Sequence, residues 1–193
     1  MKILGIIGGK SPESTATYYT EINRLVNQKK GGNISAPIVM VSVEFEEIVQ
    51  CQKQSEWQRA GEILAEAGKK LEMIGAEGIV LATNTMHKVA AQIERALSIP
   101  FLHILDATAD AIKSRGLNKV ALLGTKFTMS DNFYRDGLIV RGITPIVPNE
   151  EAQNEIHRII FDELCVGKFL PQSKAFYLDT IEFLRKQGAE GVI

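Results

Sequence analysis

The chain alternates between short, almost wholly apolar runs and longer segments with helical spacing. Residues 3–7 run without a charge into Gly8-Gly9, the pattern of a strand buried on both faces that ends in a tight turn. Ser11-Pro12-Glu13 then supplies an N-cap hydroxyl, a proline at the first helical position and an early acid, which predicts a helix through about Lys30. Gly31-Gly32-Asn33 ends it, and Ile38-Val39-Met40-Val41 reads as a second buried strand. Glu44 to Lys53 reads as a polar, solvated segment at the carboxyl edge of the sheet. Ser55 is expected to cap a long helix whose apolar positions Trp57, Ala60, Leu64, Ala67, Leu71 and Ile74 keep helical spacing up to Gly75.

The next stretch, Gly78-Ile-Val-Leu-Ala-Thr-Asn-Thr-Met-His87, passes from a β-branched run into small hydroxyl and amide side chains. It predicts a strand, a tight turn and a helix start, and ligands of open α/β sheets bind just past such strand ends. Met86, Val89, Ala90, Ile93 and Leu97 then form one helical face, Phe101 to Leu105 reads as a strand, and Asp106 is expected to cap a helix to Arg115. The order β-α-β-α-β-α-β-α implies an α/β fold with a parallel sheet flanked by helices.

The pattern then restarts. Leu4-Gly-Ile-Ile-Gly-Gly-Lys10 lines up with Val120-Ala-Leu-Leu-Gly-Thr-Lys126, a register that also sets Tyr18 on Tyr134. Gly75-Ala-Glu-Gly-Ile-Val80 lines up with Gly188-Ala-Glu-Gly-Val-Ile193 at nearly the same offset, and a shared Gly-Ala-Glu-Gly exceeds what two apolar strands have in common by default. We read a tandem duplication giving two similar lobes, 1–115 and 116–193, each built on a four-stranded parallel sheet. Within the second lobe, Ile143 to Val147 is its second strand, followed by helices carrying Ile156, Ile160 and Leu164 and then Ala175, Leu178, Ile181 and Leu184. The counterpart of Leu81-Ala82-Thr83 falls just past Ile193, so the second lobe is expected to be incomplete in this sequence, truncated at its C-terminal strand.

Composition narrows the function classes. Twenty-two Lys plus Arg balance twenty-three Asp plus Glu, a net charge of −1 without long single-sign runs, so neither a nucleic-acid groove nor an anionic membrane surface is expected. Cys51 and Cys165 show no CxxC or ligand spacing, no apolar run reaches membrane-spanning length, and the first strand is too soon broken by glycine for a signal peptide; a cytoplasmic protein is expected. The first turn, Gly5-x-x-Gly8-Gly9, is not GxGxxG, and no GxxxxGK[ST] or GxSxG occurs, which disfavours a dinucleotide site and leaves a carboxylate or small anion at that helix N-terminus. His87, His103 and His157 share no ligand spacing, so no metal is expected; His87, one turn past the motif, either orients the loop or is a satisfied structural histidine. Two like lobes would set two strand-end turns face to face, an arrangement suited to racemisation beside a carboxylate, with one proton-transfer group on each side of a planar intermediate.

Gly5-Ile-Ile-Gly-Gly-Lys-Ser-Pro-Glu-Ser-Thr15 with Tyr18-Tyr19, and Ala76-Glu-Gly-Ile-Val-Leu-Ala-Thr-Asn-Thr-Met-His87, resemble the cofactor-independent aspartate/glutamate racemases of the Asp/Glu/hydantoin racemase superfamily. Phe161-Asp-Glu-Leu-Cys-Val-Gly-Lys-Phe169 and Gly188-Ala-Glu-Gly-Val-Ile193 extend the resemblance along the chain. The resemblance implies a two-base mechanism without PLP or another cofactor, a homodimer, and two catalytic cysteines in Cys-Asn-Thr and Gly-Cys-Thr-Glu contexts. Here the first of these positions is Thr83 and the second would lie beyond Ile193, so these 193 residues alone are expected to be incompetent in catalysis. Neither Cys51 nor Cys165 stands in such a motif, and both are read as structural.

A threonine there resembles a subgroup acting on L-aspartate and L-glutamate, with Thr83 as the catalytic group on the proton-return side. Asn84 and Thr85 are expected to hold the substrate α-carboxylate, Ser11, Thr125 and Lys126 to bind carboxylates at the first-strand turns, and Gln52 to reach the side-chain end. Helix capping is the plain alternative for Ser11, and a solvated surface position for Lys126. A catalytically silent two-lobed dicarboxylate-binding protein is the competing reading of the whole chain.

Overall fold

The computed structural model describes all residues, Met1–Ile193. The elements in chain order are β1 (Leu4–Gly8), α1 (Pro12–Lys30), β2 (Ile38–Ser42), α2 (Phe45–Lys53), α3 (Trp57–Met73), β3 (Gly78–Leu81), a 3₁₀ turn (Thr85–Val89), α4 (Ala90–Arg95) and β4 (Phe101–Leu102). They continue as α5 (Ile104–Lys113), β5 (Lys119–Ala121), α6 (Lys126–Ser130), α7 (Asn132–Val140), β6 (Thr144–Ile146), α8 (Glu150–Asp162), α9 (Pro171–Lys186) and β7 (Gly191–Val192). Contacts divide the chain into two compact units, Met1–Ile104 and Leu105–Ile193, so nearly all of α5 is grouped with the second unit. No helix is long and apolar enough to cross a membrane.

In the first unit four parallel strands lie in the order β2-β1-β3-β4, with Ile7 opposite Val41 on one side and Leu81 on the other. The glycine-interrupted apolar run forms β1 because both its neighbours are strands; Ile6 and Ile7 have no exposed surface. Ile48, Leu64, Leu71, Ile79, Met86 and Ile93 pack with Ile7 into one core, each such side chain contributing about 1.5–3 kcal/mol on burial.

The second unit repeats the order on a smaller scale, β6-β5-β7, all parallel. The two Gly-Ala-Glu-Gly segments perform the same task. Gly75 (φ 96) and Gly188 (φ 95) take the left-handed conformation past a helix end, where glycine alone is unstrained. The N–H groups of Gly75 and Ala76 bond Glu72 O and Leu71 O, as those of Gly188 and Ala189 bond Arg185 O and Leu184 O. Each glutamate then latches the start of the first strand: Glu77 Oε1 accepts the Ile3 N–H at 3.0 Å, and Glu190 Oε2 accepts the Lys119 N–H at 3.0 Å.

Several elements depart from the sequence expectation. Glu44–Lys53 is not a solvated stretch but the helix α2, capped by the Glu44 carboxylate and burying Ile48, Val49, Cys51 and Gln52. Ser55 is not the cap of α3: it sits at φ 58 in the link from α2, and Glu56 occupies the cap position. Ile74 is exposed at the end of that helix, and Leu178 is exposed on α9, where Ser173, Thr180 and Leu184 are buried instead. β4 stops at Leu102, and Asp106 lies inside α5, because Leu105, Ala109 and Ile112 have the spacing of a helix face and are buried together.

Candidate functional site

In a sheet ordered β2-β1-β3-β4 the connections leave β1 and β3 in opposite directions, which opens a crevice at the carboxyl ends of those two strands. The turns after Gly8 and after Leu81 flank this point, since Ile7 and Leu81 are direct partners.

The turn after β1 is wired by one hydroxyl. Thr15 Oγ1 accepts the Gly9 N–H at 2.9 Å and donates to Ser11 O at 3.0 Å. Gly9 stands at φ 92, and a β-carbon there would lie 2.2 Å from Val43 O, so only glycine fits. Ser11 is buried, at φ 22, and its Oγ accepts the Ser14 N–H at 3.2 Å as the cap of α1. The expected capping role of Ser11 is therefore what its side chain does here, at the lip of the crevice.

Between them sits Lys10, only 6% exposed. Its Nζ donates to Ile7 O at 2.9 Å and Gly8 O at 3.0 Å, and burial alone draws its pKa down to about 7. Lys10 was not among the residues singled out from the sequence. The signal available was a charged residue set between a strand-end Gly-Gly and a helix cap, a place where the backbone turns back over the sheet.

The turn after β3 is held from two sides. Ile7 O accepts the Ala82 N–H at 3.0 Å, and Leu81 O accepts the Thr83 N–H at 2.8 Å in a three-residue turn. The Thr83 side chain is half-buried, Asn84 is exposed and Thr85 is buried. His87 lies beneath, 4% exposed, with Nδ1 2.8 Å from Thr83 O and Nε2 3.2 Å from the Ile104 nitrogen. A carbonyl needs a donor and an amide needs an acceptor, so the ring is neutral with its proton on Nδ1. Burial, with a smaller contribution from His103 at 4.7 Å between ring centres, lowers its pKa to about 3. His87 thus orients the loop and is fully satisfied at the same time, combining the two roles posed as alternatives.

Gln52, on α2, is buried and its amide nitrogen lies 3.0 Å from Met86 Sδ, which ties α2 to the 3₁₀ turn behind Thr83. In the second unit Thr125 caps α6, accepting the Thr128 N–H at 3.3 Å. Lys126 is partly exposed and already engaged, with Nζ 2.8 Å from Asn154 Oδ1 and 3.3 Å from Glu150 Oε1; its N–H donates to His157 Nδ1 at 3.1 Å. Cys51 is buried and Cys165 half-buried, and neither is in a disulfide. Ser11, Gln52, Thr83, Asn84 and Thr85 therefore gather at one sheet edge of the first unit, and Thr125 and Lys126 stand at the matching edge of the second.

A strand-end crevice lined by hydroxyls, an amide and a buried lysine, without the glycine fingerprint of a dinucleotide fold, stands where open α/β sheets bind their ligands. Comparison with known proteins gives the family: the model for Asp/Glu/Hydantoin racemase matches residues 7–193, and the chain belongs to that family. A Yersinia pestis protein of known structure, provisionally described as an Asp/Glu racemase, is 47% identical with a TM-score of 0.90, over 100% of this chain and 84% of that one. An aspartate racemase homologue from Pyrococcus horikoshii is 39% identical with a TM-score of 0.83, again over 100% and 84%. The broad specificity amino-acid racemase of Bacillus subtilis is 24% identical over 160 residues, 82% of this chain and 69% of its own. The chain is accordingly an isomerase of the Asp/Glu racemase type.

Proposed function

We propose that the protein interconverts the enantiomers of aspartate or glutamate by cofactor-independent proton transfer at the α-carbon, with Thr83 as one of two proton-transfer groups. The observation that carries this reading is the half-buried Thr83 at the β1/β3 crevice, its carbonyl pinned by a neutral His87. In this reading a thiolate, the cysteine implied by the family resemblance, removes the α-proton of the L-isomer. The Thr83 hydroxyl returns a proton to the opposite face and regains one from water. Asn84 and Thr85 hold the α-carboxylate, whose charge is spread in the planar intermediate.

An aliphatic hydroxyl is a far weaker base than a thiol of pKa about 8.5, so the reaction is biased to start from the L-isomer. The proposed setting is a cytoplasmic homodimer. Proton exchange at the α-carbon of L-aspartate and L-glutamate in deuterium oxide, followed by NMR with the full-length protein, tests the reaction. Deuterium incorporation is the expected outcome, and its absence with both substrates would remove the racemase assignment.

A further inference from the structure

Lys10 is a buried amine that the fold does not need. Its two hydrogen-bond acceptors already have backbone donors: Ile7 O takes the Ala82 N–H at 3.0 Å and Gly8 O takes the Val43 N–H at 3.1 Å. Removing the ammonium would leave neither carbonyl unpaired. It forms no ion pair, and in its charged form, with two N–H groups on those carbonyls, no protein acceptor takes the third. Taking a charge out of water without a counter-charge is destabilising, and an apolar side chain of the same length would fill the space at lower cost.

Lys126, which the strand register sets on Lys10 but which stands after the cap of its helix where Lys10 stands before one, pairs with Glu150 and donates to Asn154. At Lys10 no protein anion answers. The ammonium shares the Ile7 carbonyl with the Ala82 N–H, which places it one residue from Thr83 and at the bottom of the crevice where β1 and β3 diverge.

Resting on the racemase reading above, we propose that Lys10 is the residue that selects acidic substrates, its free N–H and charge taking the side-chain carboxylate while the α-carboxylate lies on Asn84 and Thr85. Burial, which lowers the lysine pKa in the empty site, strengthens its attraction for an anion that restores the charged form. A neutral amide at the same place gains much less, so the selection is for aspartate or glutamate over asparagine or glutamine.

The test uses the full-length protein with Lys10→Met, which keeps the volume, and Lys10→Gln, which keeps a donor but not the charge. We expect each variant to reduce the ratio of kcat/KM for L-aspartate over L-asparagine at least tenfold, mainly through KM. Calorimetric affinity for succinate should fall at least tenfold, while the melting temperature of Lys10→Met stays level or rises. An unchanged substrate ratio and succinate affinity, or a melting temperature several degrees lower with both preserved, would overturn the proposal and make Lys10 a clamp on the turn. Should the wild type show no α-proton exchange yet bind succinate in a Lys10-dependent way, the racemase reading fails and the carboxylate site at Lys10 stands.

Discussion

The neutral, buried state of His87 makes the first unit sensitive to acid in a way that can be worked through. In the folded chain the ring accepts from the Ile104 N–H through Nε2, and protonation would replace that acceptor with a second donor facing a donor. Its pKa therefore stands near 3 against 6.5 in an unfolded chain, so between those values the unfolded chain carries a proton that the folded chain refuses. The contribution is complete above pH 6.5, falls as pH falls through the window, and is fully lost below about 3. At about 1.4 kcal/mol per unit, roughly 3 kcal/mol disappears between pH 7 and pH 4.

Carboxylates titrate in the same range, so the measurement has to be a difference. His87→Asn keeps a donor toward Thr83 O and cannot titrate; we expect it to cost about 2 kcal/mol at pH 7 through lost packing and the orphaned Ile104 N–H. Urea unfolding at pH 7 and pH 4 can be followed by the fluorescence of Trp57, the one tryptophan, which opens α3 and packs against the first-unit core. The wild type should lose about 3 kcal/mol more than His87→Asn over this interval. Equal losses in the two proteins would refute a buried neutral histidine.

The other predictions concern the two turns. Thr15→Val is nearly isosteric but leaves the buried Gly9 N–H without an acceptor, and should cost about 1–3 kcal/mol in urea unfolding and lower the exchange rate, as the β1 turn loosens. Gly9→Ala, forced to φ 92 with its β-carbon against Val43 O, should cost more than about 2 kcal/mol; Gly116→Ala, at φ 70 in open space, should cost about 1 kcal/mol, and a chain in which the two substitutions are equal would show that contact with Val43 is unimportant. Thr83→Cys should broaden turnover to the D-isomer, read as deuterium incorporation into D-aspartate or D-glutamate; D-isomer turnover that stays at the wild-type level would count against Thr83 as the return-side group.

The periodicity of the chain places the first sheet's strands because they are short apolar runs bounded by glycine or proline, and α1 because Ser11-Pro12-Glu13 states its start; β2, expected to be buried, is instead a partly exposed edge strand. Helix α2 escaped notice for a physical reason. Its apolar face is Ile48, Val49 and Cys51 within nine residues, too short for helical spacing to stand out from the glutamates around it. β4 was overextended because Ile104 and Leu105 continue an apolar run while belonging to the next helix; an edge strand needs only the pairing of Phe101 and Leu102 beside Ile79 and Val80. The place of Thr83, Asn84 and Thr85 in the turn after β3 was legible from the apolar run before them. Lys10 and Thr15 were not, because nothing in a linear pattern marks a lysine as buried or a hydroxyl as the acceptor of an N–H six residues earlier. Both depend on how the chain folds back over the sheet edge.

The internal repeat separates what the duplicated fold keeps from what it lets change. The Gly-Ala-Glu-Gly segments remain identical where the task is backbone geometry: a left-handed glycine, a buried alanine and a carboxylate on the N–H of the incoming first strand. Each of those tasks has few solutions, since only glycine is unstrained at such a φ and a second carbon on the alanine would press on the core. The turns after the first strands have diverged instead. Gly9-Lys10-Ser11 holds its lysine inside with one N–H unanswered, whereas Thr125 and Lys126 close on Thr128, Glu150 and Asn154. The lysine lies before the helix cap in the first unit and after it in the second, so the two turns hold their charges differently. That asymmetry, rather than the shared fold, is what supports the carboxylate site proposed at Lys10.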